Sequence, residues 1–170
     1  MTEPEYIAYF EGLASKHKAI RHVPGDESSQ GFFLVQDDNM AELEQAVRNK
    51  LQLPALLLDQ YFDELDTTQD NNRLRIEGGF SIICKIEQGD TASIRAARHQ
   101  ARLIARSVLG RLRKELRPGG GLSAQNVVML PVNAGEPTPI LGGNATGWGY
   151  AITWQMPTSM AVSTDDWLDL

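Results

Sequence analysis

The hydrophobic positions of this chain change period several times, and each period marks an element. Tyr6, Ile7, Phe10, Leu13 and Ala14 recur at helical spacing behind Thr2, Glu3, Pro4 and Glu5, which supply an N-cap and then proline and acids for a first turn. The spacing predicts a helix to about Lys18. A loop with Pro24, Gly25, Asp26 and two serines follows, then a short extended run over 32–35. Met40, Leu43, Ala46 and Val47 share one helical face, with Asp37, Asp38 or Asn39 as cap and Pro54 closing the segment. Ala55, Leu56, Leu57 and Leu58 are apolar without a break, which predicts a strand covered on both faces. Residues 63–72 are acidic and polar and read as a loop. Residues 74–87 read as a long strand in which Gly78 and Gly79 are expected to mark a bulge or bend.

The strongest pattern comes next. From the cap candidate Asp90, residues Ile94, Ala97, Ala101, Ile104, Ala105, Val108, Leu112 and Leu116 recur at three- and four-residue steps until Pro118 and three glycines stop them. This predicts a long amphipathic helix over 91–117. A strand over 125–132, a Gly- and Pro-rich loop over 133–146 and a strand over 148–156 follow. In that last strand Trp148, Tyr150, Ile152, Trp154 and Met156 share one face. The order predicts an α+β fold: an antiparallel or mixed sheet of four to five strands with two or three helices packed mainly on one face. Its 170 residues suit a single domain over 1–170, with a tail at 159–170 free to move. Trp167, Leu168 and Leu170, set among Asp165, Asp166 and Asp169, would let that tail dock on a neighbouring chain or fold back on its own.

Composition narrows the function. A hydrophobic fraction of 42% and a charged fraction of 22% exclude wholesale disorder, and a net charge of −6 argues against nucleic-acid or anionic-membrane binding by the whole surface. The acidic N-terminus lacks the features of a secretory signal and no apolar run is long enough to span a bilayer, so a soluble, cytoplasmic protein is expected. The charge is unevenly placed. Residues 95–117 carry eight basic side chains and one acid, a net of +7, which leaves −13 for the remainder. At about 100° per residue, Arg95, Arg98, Arg102, Arg106 and Arg113 fall in one arc beside the apolar stripe. Three uses of this ridge compete: a solvated face pairing with acids of the same chain, contact with an acidic surface of another subunit, and phosphate contact with nucleic acid.

Catalytic and metal signatures are missing. His17, His22 and His99 lie on different elements without ligand spacing and are expected at the surface or in caps. Cys84 lies in a strand-like run and is expected to be a buried, inert thiol. Asp66, Asp70 and Glu77 fall at the first, fifth and twelfth positions of a calcium loop, but the glycine of the sixth is absent. The glycines at 119–121 follow a helix, and those at 142–149 precede a strand, so neither group cradles phosphate as a P-loop does; the latter reads as a flexible connection. No cofactor, metal or catalytic residue is expected.

The N-terminal helix, the strands at 55–58 and 74–87, the helix over 91–117 and the final strands ending in Gly147-Trp148-Gly149-Tyr150-Ala151-Ile152-Thr153-Trp154-Gln155 resemble, in their order, the phage tail-terminator and tail-completion (minor tail) proteins. The short strand and helix between 32 and 51 depart from the simplest version of that plan. The resemblance implies a structural assembly protein rather than an enzyme. Its copies would form a ring, hexameric in that family, that caps the tail tube of a virion or a phage-derived contractile injection system and joins it to the head-side connector. The partners implied are other copies, tube and connector proteins, without a membrane. Candidate subunit-interface residues are Arg95, Arg98, Arg102, Arg106, Arg113, Asp63, Glu64, Asp66, Asp70 and Trp167. Two other readings stay open: a nucleic-acid-associated protein using the basic helix, and a small-ligand protein with a dispersed site.

Overall fold

The computed structural model describes residues 1–36, 39–68, 72–130 and 133–162, among which lie three α-helices and one mixed sheet of seven strands. The fold is α+β, as the periodicities predict. Helix α1 (Glu3–Lys16) starts in a capping box: Thr2 Oγ1 accepts from Glu5 N, and the Glu5 carboxylate accepts from Thr2 N at 2.7 Å. Two donors that a helix start leaves without partners are satisfied this way. Strand β1 (Phe32–Leu34) and strand β2 (Ala55–Leu58) are parallel, joined through α2 (Met40–Asn49). Asn39 precedes α2 without capping it; its carboxamide instead bridges Gln36 N and the Leu34 carbonyl at 2.8 and 3.1 Å. Asp37 and Asp38, the other cap candidates, lie outside the described residues.

Strand β3 (Phe62–Asp66) corrects the expected loop over 63–72, since it pairs antiparallel with the start of β4 (Arg73–Lys85). All five of its residues are exposed, so no buried face imprinted an alternation on the sequence. Strand β4 pairs along its whole length with β7 (Ala145–Pro157). No bulge occurs at the glycine pair: Gly78 and Gly79 stand opposite Ile152 and Ala151 in unbroken register. They answer a demand for space instead, because a Cβ at Gly78 would overlap the Tyr6 hydroxyl and one at Gly79 the Asp59 carboxylate. Strands β5 (Val128–Met129) and β6 (Gly135–Pro137) both pair with the outer edge of β7. The expected loop at 133–146 thus holds β6 and the start of β7. Gly147, in that start, pairs with Ile83, and a Cβ there would collide with the Ile82 carbonyl of β4.

The strand order β1-β2-β4-β7-β5 places β3 on the β2 edge of β4 and β6 on the β5 edge of β7. One edge of the sheet is therefore β1 with β3, and the other is β5 with β6. Helix α1 and helix α3 (Thr91–Glu115) cover one face, enclosing Ile76, Phe80, Ile82, Ile152 and Trp154. Phe10 of α1 stacks on Trp154 at 5.9 Å between centroids, and burying a side chain of that size contributes about 1.5–3 kcal/mol. Helix α2 lies on the opposite face, where Leu43, Ala46 and Val47 cover Ala55, Leu57 and Ile83. Every residue of β2 is buried between these layers, which is why its apolar run has no alternation. Among the described residues, no helix is long and apolar enough to cross a membrane.

Candidate functional site

Asp90 caps α3 by accepting from Ala92 N at 2.8 Å, and the buried stripe from Ala97 to Leu112 fixes the helix rotation over the sheet. That rotation turns the predicted arginine ridge toward the β6–β7 edge. Arg98 Nε donates to Thr146 Oγ1 at 3.3 Å, and that hydroxyl donates to the Thr138 carbonyl at 2.9 Å, so Arg98 is anchored where β7 begins. One turn on, the Arg102 guanidinium carbon lies 5.0 Å from the centre of the Trp148 ring, a cation–π contact. Arg102, Arg106 and Arg113 then rim a groove of about 610 Å³ between α3 and the β6–β7 hairpin, with Leu109, Trp148 and Tyr150 in its wall. Arg95 sits at the start of the helix, exposed and outside the groove.

Gly135 lets β6 close this wall. A Cβ at that position would stand 2.8 Å from Trp148 Nε1 and overlap the Tyr150 ring. The Trp148 indole N–H beneath it is buried and has no acceptor among the described residues.

Among the described residues, no carboxylate forms an ion pair with Arg95, Arg98, Arg102, Arg106 or Arg113. The single acid of the helix, Glu115, is used elsewhere: it accepts from Gly121 N at 3.0 Å and pairs with Arg111 at 2.6 Å. The Gly121 hydrogen bond, followed by the Arg111 charge, holds its carboxyl below the usual range. The reading in which the ridge is neutralised by acids of its own chain thus has no ion pair behind it among these residues.

Three of the candidate acids lie at the opposite edge of the sheet, whereas Glu136 stands on β6 at the arginine edge. Asp63, Glu64 and Asp66 lie on β3, away from the arginine groove rather than beside it. Glu64 pairs with Arg75 at 3.6 Å, and Arg75 also holds Glu77 at 2.6 Å. Asp66 Oδ1 accepts from Thr68 Oγ1 and Thr68 N at 2.7 and 3.0 Å, bonds that pull its carboxyl below the ordinary range. The Asp63 carboxylate makes no ion pair or hydrogen bond among the described residues. Asp70 and Trp167 lie outside the described residues.

A second acidic surface, missed by sequence reasoning, lies beside β1, where Glu11, Asp26, Glu27 and Glu42 line a groove of about 540 Å³. His22 forms part of its wall and corrects the expected surface or capping role. It is buried, Nδ1 accepting from Gly31 N at 3.3 Å while Nε2 faces Glu11 Oε1 at 3.1 Å. His17 does act at a helix end, its Nδ1 accepting from Ala19 N, and His99 is exposed. Among the described residues, no three His, Cys, Asp or Glu side chains converge as metal ligands do. In comparison with known proteins, the chain matches no family model and no curated sequence.

Proposed function

We propose that this chain is a structural assembly protein whose copies join head to tail into a closed ring, in the manner of the tail-terminator proteins that its element order resembles. The observation that carries this reading is the placement of opposite charges on opposite edges of one sheet. Arg102, Arg106 and Arg113 rim the β6–β7 edge with no carboxylate paired to them among the described residues, whereas Asp63, Glu64 and Asp66 occupy the β3 edge. A contact between unlike patches on identical subunits repeats from copy to copy and ends only by closing on itself. Complementary potentials at such a contact fix orientation and speed association. Within this reading the ring is the hexamer of that family, its two faces meeting tube and connector proteins. The chemistry required is recognition alone.

The nucleic-acid reading has less support, because the aromatic ring nearest the arginines, Trp148, is already stacked under Arg102 and is not open to a base. The test is native mass spectrometry with sizing over a range of protein and salt concentrations. A single closed oligomer that dissociates as salt rises is the expected result. A chain that remains monomeric at low salt and high concentration overturns the proposal.

A further inference from the structure

We infer that the acidic segment 163–170 folds back on its own chain and lies in the groove between the end of α3 and strand β5. Its aspartates meet Arg113 and Arg117 there, and Trp167 and the leucines cover the apolar wall. The contact stands apart from the ring reading above, sharing with it Arg113 alone.

The groove has a volume of about 490 Å³ and lies beside β5, which ends its side of the strand order. Arg113, near the end of α3, and Arg117, just beyond it, are both exposed and supply its charge. Among the described residues, no carboxylate forms an ion pair with either. Leu116, Val128, Met129 and Leu130 make the rest of the lining apolar, and Val128 is left 60% exposed. A basic rim on an apolar wall is matched by an occupant that carries acids and apolar groups together.

The chain leads to this place. Beyond the end of β7 at Pro157, Met160 and Ala161 line a neighbouring groove together with Val128. Val128 lines both grooves, so the last described residues lead to the wall of the second. Eight residues follow Val162. Extended, they reach about 26 Å, more than the roughly 10 Å that β5 and its flanks need from Val127 to Leu130.

The segment also has the required chemistry, with Asp165, Asp166 and Asp169 set among Trp167, Leu168 and Leu170. Side chains alternate along an extended chain, so one face would bear Asp165, Trp167 and Asp169 and the other Asp166, Leu168 and Leu170. Either face thus offers a carboxylate and an apolar group at once. A short tether sets the effective concentration of the segment at roughly millimolar, which favours its own groove over that of another copy.

Trp167 is the reporter in the full chain. The difference in emission between wild type and Trp167→Phe isolates it from Trp148 and Trp154. Its emission should lie to the blue of a free peptide of residues 163–170 and be quenched several-fold less by acrylamide, without change on dilution. Arg113→Glu with Arg117→Glu, made with and without Trp167→Phe, should return Trp167 to the values of the free peptide. Near-ultraviolet circular dichroism checks that this variant, altered at two exposed positions, keeps the native fold. Adding Asp165→Lys, Asp166→Lys and Asp169→Lys should restore the shielding, and failure to restore it would overturn the charge pairing. A wild-type Trp167 as exposed as the free peptide overturns the inference. Shielding that the groove variant leaves intact does so too, since the segment then lies elsewhere, as does shielding lost on dilution, which assigns the segment to a neighbouring copy.

Discussion

Arg102 holds its guanidinium carbon 5.0 Å from the centre of the Trp148 ring, a contact that joins the long helix to the central strand β7 at the edge where the arginines gather. A guanidinium fixed against an aromatic face has already lost much of its rotamer freedom, so less entropy remains to be given up on binding a carboxylate. The stack therefore links the packing of the fold to the readiness of its basic edge.

Replacing Trp148 separates these two contributions. Trp148→Phe keeps an aromatic face under Arg102 and removes a buried N–H that has no acceptor among the described residues. Thermal melts should show the monomer unchanged or stabilised by up to about 1 kcal/mol, because an unpaired buried donor is a cost. Trp148→Ala, by contrast, should destabilise it by about 2–4 kcal/mol and weaken oligomer formation as Arg102 loses its seat. Equal losses from both substitutions would show that the indole N–H, and not the ring face, is what matters.

Gly78 and Tyr6 form a coupled pair. The Tyr6 hydroxyl donates to the Gly79 carbonyl at 3.4 Å and occupies the space that a Cβ at Gly78 would need. Gly78→Ala should cost about 1–3 kcal/mol by overpacking, and Tyr6→Phe about 0.5–1.5 kcal/mol for its long hydrogen bond. In the double variant the missing oxygen makes room for the methyl group, so the combined loss should fall short of the sum. Strict additivity in a denaturant-melt cycle would refute the steric account of this glycine.

The packing of helix α3 on strand β7 shows why some elements were legible in the sequence and others were not. Helix α3 and strand β7 each bury one face against the other, which wrote a period of three to four into one and of two into the other. Strand β3 buries neither face and β6 is the short edge segment Gly135–Pro137, where proline is tolerated, so both read as loop. The arginine ridge was visible because its members share one helix. Trp148, Tyr150 and Gly135 were not assigned to it, being brought there from distant positions by the packing of α3 on β7. The alternation of β7 did place Trp148 and Tyr150 on one face with Ile152, Trp154 and Met156, and that was the available signal.

Cys84 is 2% exposed, and burial pushes its thiol up to about 11. Native protein should react with an aromatic disulfide reagent only at the rate at which it opens, accelerating steeply in denaturant. The linkage has a definite sign. The folded thiol holds its proton above the ordinary value of 9.0, so stability should decline as pH rises from about 9 to about 11 and be unaffected by this group below that window. Rapid labelling of the folded chain at neutral pH would contradict the burial of this side chain.

Asp59 offers the opposite experiment, in acid. Its carboxylate lies against the backbone of Gly79, and desolvation, with Glu136 adding a like charge, raises its pKa above the ordinary 3.8. The folded state then binds the proton more readily than the unfolded state, so ionisation costs stability as pH rises through the raised value. That cost is fully present above the folded pKa and vanishes below the ordinary one. More than a third of the residue remains accessible to solvent, which screens the charge and limits the effect to about 0.5 kcal/mol or less. Asp59→Asn should therefore gain a few tenths of a kcal/mol over wild type near pH 7 and nothing near pH 3, in urea melts run as a matched pair. A loss of stability at neutral pH would mean that the ionised carboxylate serves a favourable contact, and the sign assigned to it here would have to be reversed.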